Sequence, residues 1–138
     1  IAILDSSSLG NKYSTRAANA AACVANYDPN VFYAVNTALY ANQPAENTSG
    51  MSDKQLLSIL KGAGAGSSQI STCVTSQQFA GWVKSATDRV SAGTFAGIAA
   101  TPAPFAGTPT VYVNGQKYPG SLTDPDAFAS FVLSAATS

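Results

Sequence analysis

The stretch GTPTVYVNGQKYPG, Gly107 to Gly120, decides the fold. Thr110, Val111, Tyr112 and Val113 are β-branched or aromatic and run into Asn114-Gly115. That dipeptide is the strongest short-range hairpin signal, because both central positions of a type I′ turn need φ above zero. A second short strand, Gln116 to Tyr118, is expected beyond the turn. Pro109 stands at the entry to the first strand, where its missing N–H breaks no internal ladder bond. On local grounds Thr108-Pro109 reads as an ordinary turn proline, although the tertiary amide narrows the trans preference to roughly 0.5–1 kcal/mol and so permits a cis bond.

Working outward, the stretch continues into a short amphipathic helix. Asp124-Pro125 supplies cap and first-turn residues, and Phe128, Phe131, Val132 and Ala135 form one apolar stripe. Gly-Thr-Pro-Thr, an apolar strand, Asn-Gly, a second strand ending in Pro-Gly and this helix together resemble the C-terminal half of thioredoxin-fold proteins. More narrowly, they resemble the DsbA-like thiol:disulfide oxidoreductases of bacterial cell envelopes. The resemblance covers nearly all of the chain. It implies an α/β, thioredoxin-like fold with a helical insertion. It also implies a cis Thr108-Pro109 bond, with Pro109 facing the family's catalytic disulfide and the backbone of Thr108 turned outward to pair with a substrate peptide. Gly107 relieves crowding in that approach, since glycine permits backbone angles closed to other residues.

At the other end, Ile1-Ala2-Ile3-Leu4 is an apolar run of strand type ending at Asp5. Chain termini usually lie at the surface, so a start inside a strand suggests a fragment. In the DsbA-like family a strand and a helix carrying Cys-X-X-Cys come first, and the resemblance implies that both lie upstream of Ile1. The expected layout is a single incomplete thioredoxin-like domain over residues 1–138. Residues 1–5 and 107–138 would belong to the thioredoxin core and residues 13–100 to the helical insertion.

The middle of the chain reads as helices. Tyr13 to Ala25 is alanine-rich, with Ser14 as N-cap, and it resembles the first insertion helix of actinobacterial DsbA-like proteins. Asp28-Pro29 starts a second helix with Val31, Phe32, Val35 and Leu39 on one face, ended by Gln43-Pro44. Ser52 with Gln55 makes a capping box for a third helix through Lys61 that buries Leu56, Leu57 and Leu60. The tract Gly62-Ala63-Gly64-Ala65-Gly66 lacks the spacing and the following Lys-Ser/Thr of a phosphate loop, and is read as a helix-to-helix connection. Ile70 to Val74 is a short helix. Gln77 to Ala92 is a longer one, with Phe79, Val83, Ala86 and Val90 at helical spacing and Trp82 beside them as core or interface packing. Gly93 to Ala106 is apolar but broken by Pro102 and Pro104. It either shapes a substrate groove before Thr108 or packs on the insertion.

Composition bounds the chemistry. The chain has 138 residues, 46% hydrophobic and 10% charged, which suits one globular domain and not a disordered segment. Seven basic residues balance seven acidic ones without a basic cluster, so there is no electrostatic footprint for nucleic acid or an anionic membrane. No apolar run approaches the roughly 20 residues that span a bilayer. There is no histidine, which removes Ser-His-Asp and Cys-His mechanisms and most transition-metal sites, and no metal site is expected. The carboxylates are scattered, with no acid and base at suggestive spacing.

Cys23 and Cys73 lack the Cys-X-X-Cys spacing that puts a thiol at a helix N-terminus and lowers its pKa, so no catalytic residue is expected in this chain. Their even number favours a disulfide between them, with two buried free thiols as the alternative. The family resemblance implies the disulfide, as a tie between two insertion helices.

The function that the resemblance implies is a cell-envelope oxidoreductase that introduces or exchanges disulfides in exported proteins. It would need no diffusible cofactor and would act on folding exported polypeptides, with a possible redox partner protein. The alternative is a redox-inactive relative that keeps the fold for peptide binding or as a scaffold, because a fold alone does not establish activity.

Overall fold

The computed structural model describes residues 1–94, 105 and 107–136. Ile1–Asp88 and Arg89–Ser138 each form a compact unit. The expectations for Gly93 to Ala106 lie outside the described residues, apart from Gly93, Thr94 and Phe105.

The first unit is helical. It contains α1 (Tyr13–Tyr27), α2 (Phe32–Ala41), α3 (Asp53–Gly62) and α4 (Ser68–Thr75), followed by α5 (Ala80–Ser91). Helix α1 buries Arg16, Asn19, Ala20, Cys23 and Val24, a stripe at the three- and four-residue spacing that keeps one helix face inward. Ala20, Cys23 and Val24 meet Val35 of α2, Leu60 of α3 and Ile70, Cys73 and Val74 of α4 in one core. Val31, Phe32, Leu39, Leu57 and Phe79 pack around it, so the apolar faces expected for the second and third helices are the faces that turn inward. Ala65, in the glycine tract, also enters this core, and the tract connects α3 to α4.

The caps show how local chemistry sets the ends. Ser52 Oγ accepts from Gln55 N while Gln55 Oε1 accepts from Ser52 N at 2.9 Å, the reciprocal capping box expected for α3. Ser67 Oγ accepts from Ile70 N and caps α4. Helix α1 departs from expectation, because Ser14 lies inside it and the N-cap position is Lys12, with φ of 50° and no side-chain cap. Its orphan N–H groups are met from upstream. Asp5 Oδ1 accepts from Thr15 N at 2.8 Å, Asp5 Oδ2 accepts from Thr15 Oγ1 at 2.6 Å, and Ser8 Oγ accepts from Tyr13 N at 3.1 Å. An aspartate there also suits the positive end of the helix dipole.

The expected strand Ile1–Leu4 does not form. The segment turns into a 3-10 helix over Asp5–Ser8, and Ala2 N donates to Thr87 Oγ1 at 2.8 Å. A strand needs a ladder partner for its backbone groups, and among the described residues the sheet consists of β1 and β2 alone. Two further boundaries shift. Pro29 opens a 3-10 turn, Pro29–Val31, before α2 begins at Phe32. Gln77, at φ of 52°, separates α4 from α5, so the long helix starts at Ala80 and not at Gln77. Trp82 is 61% exposed and therefore not core.

The second unit holds the hairpin β1 (Tyr112–Val113) and β2 (Gln116–Lys117) and the helix α6 (Pro125–Ala136). The strands are antiparallel with Tyr112 opposite Lys117 and Val113 opposite Gln116, and Tyr118 N donating to Val111 O at 3.0 Å extends the pairing. The turn is the expected one, with φ of 46° at Asn114 and 79° at Gly115. Asp124 Oδ1 accepts from Ala127 N at 3.0 Å and caps α6, whose first residue is Pro125.

Candidate functional site

The residues singled out by sequence as substrate-facing, Gly107, Thr108 and Pro109, form one loop in the second unit, directly before the hairpin. Thr108 and Pro109 are exposed, and the peptide bond between them is cis. Gly107 has φ of +140°, in the region that side chains strain to occupy. Thr110 Oγ1 donates to Gly107 O at 2.6 Å and closes the loop across its own base.

The loop is carried by the hairpin, and the hairpin is fixed to α6 by Tyr118 and Asn114. Tyr118 is buried. Its ring makes an edge-to-face contact with Phe128 at a centroid distance of 5.1 Å and lies tilted against Phe131 at 5.1 Å, while its hydroxyl donates to Ser121 O at 3.0 Å. Such aromatic pairs contribute about 0.5–1.5 kcal/mol beyond area burial. An added Cβ at Gly120 would stand 2.6 Å from Tyr118 Oη and 2.8 Å from Cζ, so glycine is what lets the Pro-Gly turn pass over the ring. At the hairpin tip, Asn114 Nδ2 donates to Ala135 O at 2.9 Å. Sequence reasoning gave Tyr118 and Asn114 only strand and turn duties. Their partners in α6 are set by packing, and only the aromatic spacing in α6 hinted at a ring between the two elements.

Cys23 and Cys73, in the first unit, are joined, with Cα atoms 5.9 Å apart, and they connect α1 to α4. Both are fully or almost fully buried. Among the described residues no cysteine is free. One helical turn before Cys23, buried Asn19 receives Phe79 N on its Oδ1 at 2.8 Å and directs its Nδ2 at Val74 O at 3.4 Å.

Arg16 is a buried charged side chain of the first unit. Its Nε and Nη2 reach Asp53 Oδ1 at 3.0 and 2.6 Å, and its Nη1 donates to Asn11 Oδ1 at 3.0 Å and Met51 O at 2.7 Å. All three nitrogens of the planar fork are engaged, which suits a structural clasp. The phenol of nearby Tyr13 is pushed above its usual pKa by burial, an effect that the positive charge of Arg16 partly opposes. Among the described residues no group of three or more His, Cys, Asp or Glu side chains is placed to hold a metal ion. Among them, too, no helix is long and apolar enough to cross a membrane.

The geometry therefore offers an exposed, uncharged backbone loop on a hairpin, and a buried cystine that belongs to the architecture. The family model described as thioredoxin matches residues 5–132, a span that includes both the helical unit and the hairpin with most of α6. Searches of curated proteins and of solved structures find no match. With the match running through nearly its whole length, the chain belongs to the thioredoxin family, as a mostly helical domain with a small sheet.

Proposed function

We propose that these residues belong to an extracytoplasmic thiol:disulfide oxidoreductase of DsbA type, which introduces or exchanges disulfides in exported polypeptides. The observation that carries this reading is the thioredoxin-family match over residues 5–132. The loop Gly107-Thr108-Pro109 is the substrate-facing segment, and the helices of residues 13–100 are the insertion. Exchange proceeds by attack of a thiolate on a disulfide sulfur, which expels the other thiolate and leaves a mixed disulfide. The thiolate is not Cys23 or Cys73, because both are buried in one cystine. On this reading the catalytic dithiol is not among these 138 residues. The cystine also fits an oxidising compartment, where structural disulfides persist. Partners are folding exported polypeptides and a redox protein that restores the dithiol or disulfide, with no diffusible cofactor.

A second reading, a redox-inactive peptide-binding or scaffold domain, is favoured by one observation, the lack of any vicinal cysteine pair in these residues. The test uses the complete protein with its native flanking sequence. It should contain Cys-X-X-Cys, oxidise a reduced unfolded substrate, and give a trapped mixed disulfide when the second cysteine of that motif is replaced by alanine. The 138-residue chain alone should show no turnover. A complete protein that binds unfolded peptides without exchanging disulfides would move the assignment to the second reading.

A further inference from the structure

The hairpin tip carries a reactivity separate from the redox proposal. Asn114 is followed by Gly115, and no other asparagine in the chain precedes a glycine. With no side chain to shield it, the Gly115 amide nitrogen is able to attack Cγ of Asn114. A Cγ–N bond forms, the Cγ–Nδ2 bond breaks, and the Gly115 proton leaves with Nδ2 as ammonia. The resulting succinimide is opened by water at either carbonyl, giving aspartate or isoaspartate. Water is the sole co-reactant, and nothing is oxidised or reduced.

The structure gives that chemistry a consequence. Asn114 Nδ2 donates to Ala135 O at 2.9 Å, and Ala135 lies in the last turn of α6, where carbonyls lack intrahelical partners. Of the two ends of the amide, only the nitrogen can donate to a carbonyl oxygen, so the bond depends on the atom that deamidation removes. We propose that Asn114 is a deamidation site at which loss of one amide releases the hairpin tip from the end of α6. The product places a carboxylate, an acceptor with no proton to give, against a carbonyl oxygen. It also adds negative charge at the end of the helix where the dipole is already negative. Isoaspartate lengthens the backbone in a two-residue turn whose φ angles, 46° and 79°, leave no slack for it. The change is one-way, since no residue of the product restores the lost donor.

The folded chain is incubated in mildly alkaline buffer, and its peptides are followed by mass spectrometry. The amide-to-acid mass gain should arise at Asn114 before any other asparagine. In the separated product, amides of the hairpin and of the last turn of α6 should exchange about tenfold faster, as expected for loss of one neutral hydrogen bond. Asn114→Asp should reproduce the faster exchange without incubation. Asn114→Gly keeps a turn that tolerates positive φ but has no amide, so it should gain no mass at this position and still loosen the last turn of α6. Absence of conversion at Asn114 in the folded chain overturns the proposal. So does unchanged exchange in both the product and Asn114→Asp.

Discussion

Reduction of Cys23–Cys73 separates the covalent tie from packing, because both thiols stay where the sulfurs were. The bond closes a loop of sequence separation 50 between α1 and α4. In the chain-entropy treatment, releasing a loop of that size frees the unfolded chain by about 4 kcal/mol at 25 °C, and removal of native disulfides costs about 2–5 kcal/mol. Against a total of roughly 5–15 kcal/mol for a domain, this is a large share. With a urea slope of about 1–3 kcal/mol per molar, a loss of about 4 kcal/mol should lower the midpoint of unfolding by about 1.3–4 M on reduction. The assay is urea unfolding followed by far-ultraviolet circular dichroism, with and without a phosphine reductant and after mass spectrometry has confirmed the thiol count. Cys23→Ala with Cys73→Ala should fall at least as far, since it also removes buried sulfur from the core. An unchanged midpoint with both thiols shown to be free would refute the claim that the cystine holds the helical unit together.

Three other perturbations test the remaining joints. Arg16→Met should destabilise by about 2–3 kcal/mol in the same assay, because Asp53, Asn11 and the Met51 carbonyl lose one shared donor set, and Arg16→Lys should recover only part of it. Gly120→Ala should cost about 1–3 kcal/mol and alter the near-ultraviolet dichroism of Tyr118, whose ring has to leave Phe128 and Phe131 to admit a methyl group, whereas Tyr118→Phe should cost only the hydrogen bond to Ser121 O, about 0.5–1.5 kcal/mol. Tyr13 should titrate above the ordinary phenol value of 10.0, seen as the component of a spectrophotometric titration that Tyr13→Phe abolishes. Its folded pKa is raised, so its contribution to stability is complete below the unfolded value and is lost as pH rises through the folded one. Removing the charge of Arg16 should raise it further.

How much of this was legible in the sequence depended on how local each cause is. The Ser52 and Gln55 box, the Asn114-Gly115 turn and the Asp124-Pro125 cap all act within a few residues, and each stands where its residues predict. The apolar stripe of the 3-10 turn and α2 was legible for the same reason, since helical spacing alone puts Val31, Phe32, Val35 and Leu39 together. The failures were non-local. Ile1–Leu4 has strand composition, but composition supplies no neighbouring strand. Ser14 had the side chain of a cap, but the helix starts one residue earlier, at Tyr13, where Ser8 and Asp5 receive the first-turn N–H groups of Tyr13 and Thr15. Trp82 sat beside an apolar stripe and proved exposed, because spacing gives a helix face without saying how far round the burial extends. Of the site, the Gly107-Thr108-Pro109 loop was legible as a motif. The hold of Tyr118 and Asn114 on α6 was not, since it arises only when the hairpin and helix are packed.

The cystine also makes residues 23–73 a closed ring of chain. Within that ring, Ala45–Ser49 is a run of exposed residues joining α2 to α3, where surface loops take proteolytic cuts. A single nick there opens the ring without freeing either piece. The two fragments remain one molecule until the cystine is reduced, and Asn19 still bridges α1 to the end of α4 across the cut. For this domain a cut in that loop separates the pieces only once the cystine is also reduced, and an oxidising surrounding turns a cut chain into a still-assembled one.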